Sequence, residues 1–206
     1  KLPLPPQTPA PANGGGRFGR LWANKLYRYG VIAQFFNVAA QTCAWTYTII
    51  YAQDVVGFSP EAAGWWLQGS LLLFLVARFV MVFVLGVVRP ALLLLIMAVF
   101  GVACCLTSVF VLNIAGLIAV VCISAALSLM FPTIYGLALK GLGDDAKFGS
   151  AGLVMAILGG ALIPMVQARV MDVAGSAAGF IVPAVCLAFV CAYAAYDLFY
   201  TRKEAS

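Results

Sequence analysis

Five polar or amphipathic side chains in one apolar stretch are placed where they could do chemistry. Between Gly30 and Tyr51, Gln34, Asn37, Gln41, Trp45 and Thr48 recur at spacings of three and four residues. At about 100° per residue they fall within an arc of roughly 80° on a helix. Each amide offers both donor and acceptor, and an indole offers one N–H and an apolar face. Such a stripe does not face lipid. It faces either a neighbouring helix, where an interhelical hydrogen bond contributes about 0.6 kcal/mol on average, or a watery cavity. Three amides in line with an indole favour the cavity. The ligand that fits this chemistry is a neutral polyol, whose hydroxyls meet amides and whose C–H face stacks on indole.

Other stretches carry fewer polar groups. Gln68, Ser70, Phe74 and Arg78 share a second apolar run. Arg78 is read as snorkelling or pairing with Asp144 or Asp145, a structural or gating ion pair. Ser124, Ser128, Phe131-Pro132-Thr133 and Tyr135 lie in a fourth. Pro132 frees a backbone carbonyl there, which either kinks the helix or exposes a polar group to the cavity. Gly149, Ser150, Gly152, Gly159, Gly160 and Pro164 make a fifth run rich in small residues, suited to close helix approach, whether static or sliding.

What is missing excludes other chemistry. The chain has no histidine, and its six cysteines (Cys43, Cys104, Cys105, Cys122, Cys186 and Cys191) sit in apolar runs without a C-x-x-C pair. They read as small buried hydrophobes, so no metal and no cofactor is expected. No carboxylate lies in the middle of a span, Asp197 being near the inner end of the sixth. An enzyme is disfavoured for want of an acid/base pair. If a proton gradient drives the protein, the proton-carrying acid lies elsewhere.

The elements that hold these residues follow from composition. Apolar residues make up 64% of the 206, charged residues only 9%, and the mean hydropathy is +1.04. A soluble domain runs about 45–50% apolar and about 25% charged, so lipid must be the solvent for most of this chain. Six runs approach the roughly 20 apolar residues that cross a bilayer. We place them at Tyr29–Tyr51, Trp65–Val88, Pro90–Leu112, Ile114–Leu139, Gly149–Val166 and Gly179–Tyr200. They are continuous rather than alternating, which excludes a β-barrel. Residues 1–28 read as a cytoplasmic linker, Pro/Ala/Gly-rich through Gly16 and then basic, the stretch 17–28 being suited to a short interfacial helix. Residues 29–200 read as the transmembrane domain and 201–206 as a cytoplasmic tail. The opening Lys1 is read as the start of a fragment or of a processed or trimmed chain, and no signal peptide is expected.

With the N-terminus inside, Lys1, Arg17, Arg20, Lys25, Arg28, Arg78, Arg89, Lys140, Lys147, Arg202 and Lys203 all fall on or near the cytoplasmic side, leaving Arg169 outside. This partition follows the positive-inside rule and needs an even number of spans. The net charge of +5 is therefore topological and not a nucleic-acid signature. The expected fold is an all-α membrane protein of six transmembrane helices, one half of a twelve-helix transporter built as a 3+3 inverted repeat.

Three stretches carry a family likeness: AQFFNVAAQTCAW (Ala33–Trp45), ARF (Ala77–Phe79) and SLMFPTIYGLALKGLGDDAKFGSAGLVMAILGGALIP (Ser128–Pro164). In them the chain resembles the fucose–proton symporter family of the major facilitator superfamily, over its C-terminal six helices, from about Gly30 to the end. The resemblance implies transport of a small sugar such as L-fucose, galactose or glucose with a proton, by rocking of two halves around a midplane site. It implies that Gln41, Trp45, Phe74 and Phe131 occupy cavity positions. Phe131 stands where members carry tyrosine, Asn37 where an aromatic is more usual, and Ala77 where glycine precedes the arginine. It also implies coupling acids in the N-terminal half.

The expected partners are thus a sugar, a proton, the lipid bilayer and an N-terminal six-helix half, in the cell membrane with both termini cytoplasmic. Gln34, Asn37, Gln41, Trp45, Phe74 and Phe131 are the expected substrate contacts. Arg78, Pro132, Gly159 and Gly160 are the expected gating or structural positions. The alternatives are a proton-independent sugar or polyol facilitator and a transport-inactive membrane sugar sensor.

Overall fold

The computed structural model describes residues 14–204, with side chains described for 19–143 and 145–200. The elements are all helical: α1 (Gly14–Ala23), α2 (Lys25–Asp54), α3 (Pro60–Leu85), α4 (Pro90–Phe110), α5 (Ile114–Leu127), α6 (Met130–Leu139), α7 (Ala146–Met155), α8 (Gly159–Ala174) and α9 (Ile181–Glu204). Short 3-10 turns at Gly143–Asp145, Ala156–Leu158 and Ala178–Phe180 join the later ones. No strand occurs among the described residues.

Local chemistry sets the boundaries. Asn24 caps α2, its Oδ1 accepting from the Leu26 and Tyr27 amides at 3.0 and 3.3 Å. Ser59 caps α3 ahead of Pro60, and Asn113 caps α5 by accepting from the Ala115 amide at 2.8 Å. Gly175 stops α8 at φ 92°, a left-handed conformation that other residues resist.

The structure departs from the sequence reading in three places. The three glycines expected in the linker form the first turn of α1, a helix held by Leu21, which is buried beside Tyr27, Ala138 and Leu153. Tertiary packing there overrides glycine's poor helix propensity. Residues 1–13 of the expected linker lie outside the described residues. The fourth span keeps its expected bounds, Ile114–Leu139, with an interruption at Ser128 and Leu129 just before Pro132, whose missing N–H cannot close the bond to the Ser128 carbonyl. The fifth span runs from Ala146 to Ala174, two turns beyond its expected end, so Arg169 lies in α8 and not in a loop. Nothing between Pro164 and Gly175 breaks a helix. Finally, α9 continues through Glu204, into the expected tail.

Among the described residues, five stretches are long and apolar enough to cross a membrane: Pro60–Leu85, Pro90–Phe110, Ile114–Leu139, Ala146–Ala174 and Ala178–Tyr200. The first expected span lies in α2, which is 30 residues long but diluted by Lys25, Arg28 and its amides. Its place in the bundle explains the difference. It packs against α3, α5, α6, α8 and α9, so much of its surface meets protein instead of lipid. The core lies between α2, α4, α5, α6 and α9 and is rich in alanine, with Ala39, Ala40, Ala98 and Ala126 fully buried. Small residues let these helices approach closely, which is how helices associate where lipid removes the hydrophobic drive. All six cysteines are free, and Cys43, Cys104, Cys105 and Cys186 are buried, as small hydrophobes would be. By contrast α3 is largely exposed, presenting Leu72, Leu75, Val76, Phe79, Val82 and Phe83 outward.

Candidate functional site

The polar stripe of α2 is present, and the structure divides it by depth. Gln34 and Asn37 are fully buried, and neither their amide nitrogens nor their oxygens have a protein hydrogen-bond partner. Burying an amide group without a partner costs about 1–3 kcal/mol. Thr48 is buried at the far end but satisfied, donating to the Ala44 carbonyl at 2.6 Å within its own helix. Gln41 and Trp45 are only half-buried and form the accessible part of the stripe.

Trp45 is held on two sides. Its indole Nε1 donates to Ser124 Oγ of α5 at 3.0 Å, and Ser124 Oγ lies 2.5 Å from Ser70 Oγ of α3. Phe74, one turn along α3 from Ser70, meets the indole edge-to-face with ring centroids 5.2 Å apart at 84°. Three helices thus converge on one aromatic side chain. Phe131 stacks instead on Tyr135, one turn along α6, at 6.4 Å and 13°.

Gly159 and Gly160 bring α8 onto α2. A Cβ on Gly159 would overlap the Phe35 carbonyl oxygen, and one on Gly160 would lie 2.6 Å from Thr42 Oγ1. Tyr47 reinforces the seam by donating to the Pro164 carbonyl at 2.9 Å. Pro132 is exposed beside the break between α5 and α6. Arg78 is exposed, and the ion pair expected with Asp145 is not formed: Asp145 binds Arg20 at 3.4 Å. The basic residue of α1 lies nearer that acid than α3 does. The side chain of Asp144 lies outside the described ones.

Sequence reasoning passed over the roles of Ser70 and Ser124, single hydroxyls in apolar runs whose pairing crosses helices and so leaves no periodicity. It also passed over Gln167 of α8, a third fully buried amide without a protein partner. No group of metal-ligating side chains occurs among the described residues. The arrangement can bind rather than react. It presents a half-buried amide and a half-buried aromatic pair, with Gln34 and Asn37 fully buried further along the stripe.

No protein-family model matches the chain. It is 36% identical over 179 residues to the L-fucose-proton symporter of Escherichia coli, a match covering 86% of this chain and 41% of that protein. It is 28% identical over 193 residues to a glucose/galactose transporter of Brucella abortus, covering 91% of this chain and 46% of that protein. Among solved structures it superposes on FucP, a major facilitator superfamily transporter in the outward conformation, with a TM-score of 0.88 and 33% identity, over 93% of this chain and 47% of that one. The chain therefore spans less than half the length of the relatives it matches, and its bundle has the fold of one half of such a transporter.

Proposed function

We propose, for a chain that belongs to the fucose–proton symporter family of the major facilitator superfamily, that it is the C-terminal half of a secondary transporter of monosaccharides. The observation that carries the reading is the half-exposed Trp45, fixed by Ser124 and Phe74 beside Gln41 on the central helix. A tethered indole face next to an amide suits a sugar, offering a surface for C–H groups and a partner for hydroxyls. Gln41, Trp45 and Phe74 are the proposed half-buried contacts. Phe131 contributes from α6, and Gln34 and Asn37 are amides deeper on the same stripe.

The relatives are named for L-fucose with a proton and for glucose or galactose, which sets the proposed cargo class. Transport then proceeds by rocking of this half against an N-terminal six-helix partner, opening the site to each side in turn. The proton would be carried by that partner, since no carboxylate lies mid-span here. Gly159 and Gly160 serve as the tight seam of the moving bundle, with Pro132 and Arg78 at its break and rim. In this reading residues 1–28 and 201–206 are cytoplasmic and flank the domain at 29–200 in the cell membrane, which the distribution of basic residues supports.

Uptake of labelled L-fucose into vesicles carrying the complete transporter, with and without an inward proton gradient and competed by galactose and glucose, tests this. Gradient-dependent accumulation is expected. Equilibration indifferent to the gradient would make the protein a facilitator, and binding without uptake would make it a sensor. Trp45→Ala is expected to weaken sugar binding while leaving membrane insertion intact.

A further inference from the structure

We infer that Ser124 and Ser70 are positioning residues for Trp45, and that the indole N–H is committed to the protein and unavailable to the ligand. The inference rests on the sugar-site reading above and adds how that site is held and by which chemistry Trp45 acts. Ser70 and Ser124 are both fully buried, so their hydroxyls must find partners within the bundle. They find each other at 2.5 Å, and Ser124 also accepts from Trp45 Nε1 at 3.0 Å. A hydroxyl has one donor and two lone pairs, so Ser124 can accept from the indole while pairing with Ser70 in either direction.

Indole has a single N–H. With that proton donated to Ser124, what Trp45 can offer a ligand is its ring face. Phe74 packs edge-to-face on the same ring and limits its remaining freedom. The three helices α2, α3 and α5 therefore set the plane of one ring through one hydrogen-bond chain. Recognition at Trp45 is thereby directed to the apolar C–H face of a sugar and not to any one hydroxyl. A site so built tolerates changes in hydroxyl configuration on the far side of the ring while rejecting ligands that lack an apolar face.

The test is a double-mutant cycle on sugar affinity in the complete transporter, read as the dissociation constant for L-fucose by titration calorimetry. Ser124→Ala is expected to weaken binding about five- to tenfold, the scale of one lost hydrogen bond. Ser70→Ala, acting only through Ser124, should weaken it less and in the same direction. In a Trp45→Phe background, which has no N–H to hold, Ser124→Ala should have no further effect. Tryptophan emission of Ser124→Ala should shift relative to the parent, and the shift should vanish in that background, showing that the loss is at the indole and not in global folding. An undiminished Ser124→Ala effect in the Trp45→Phe background would assign Ser124 a packing role and overturn the inference. So would normal affinity in Ser124→Ala when Trp45→Ala loses binding, with the sugar-site reading left standing. Normal affinity in both Ser124→Ala and Trp45→Ala would remove that reading as well.

Discussion

Gly159→Ala tests whether α8 and α2 are in backbone contact. The new Cβ would overlap the Phe35 carbonyl oxygen and lie 2.9 Å from its carbon, inside the 3.0 Å that real Cβ atoms respect. A backbone carbonyl in mid-helix cannot rotate away, so α8 must retreat from α2 by on the order of 1 Å. Overpacking of this kind costs about 1–3 kcal/mol, with a backbone partner at the upper end. Because Gly159 has helical φ of −55°, alanine recovers about 1 kcal/mol of helix propensity. The net is a loss of about 2 kcal/mol, or roughly 4–8 °C in thermal midpoint for a chain of this size. Gly160→Ala is the internal control. Its Cβ would meet side-chain atoms, Thr42 Oγ1 at 2.6 Å and Val38 Cγ1 at 3.1 Å, which can turn aside. Its cost of about 1 kcal/mol is close to the propensity gain, so its midpoint should stay within about 2 °C of the parent. The assay is thermal unfolding of the detergent-purified protein with a thiol-reactive dye, since the buried free cysteines report opening of the bundle. Equal shifts for the two variants, or a neutral Gly159→Ala, would refute the claim that α8 rests on the α2 backbone.

Two further outcomes follow from single contacts. Tyr51→Phe removes a fully buried hydroxyl that donates to the Ser108 carbonyl at 2.6 Å, joining α2 to the end of α4, and should destabilise by about 1–2 kcal/mol in the same unfolding assay. Arg20→Gln breaks the pair with Asp145, in which the arginine side chain is 67% exposed, so the midpoint should fall by no more than about 2 °C, and the difference should disappear in high salt.

Much of the architecture was legible in the residue pattern because lipid is a simple solvent. Where backbone groups cannot bond to water, an apolar run of sufficient length must be a helix, and basic residues mark its inner end. That reasoning places α4, α5 and α9 within two residues of their observed starts, and it finds the stripe on α2 because a helix repeats every 3.6 residues within itself. It overestimates the polypeptide's simplicity where packing intervenes. The three glycines of α1 are helical because Leu21 is buried.

The tertiary structure alone decided which members of the stripe are reachable and what holds them. Gln34 and Asn37 share the same helical face as Gln41 and Trp45, yet neighbouring helices seal the first two and leave the second two accessible. Ser70 and Ser124 are 54 residues apart and meet only because α3 and α5 pack together. Arg20 takes Asp145, one of the two acids offered as partners for Arg78, because α1 lies beside the Gly143–Asp145 turn. Periodicity records a residue's relation to its own helix axis. The identity of the neighbour across the gap depends on how several helices pack at once, and no spacing along one chain segment encodes it.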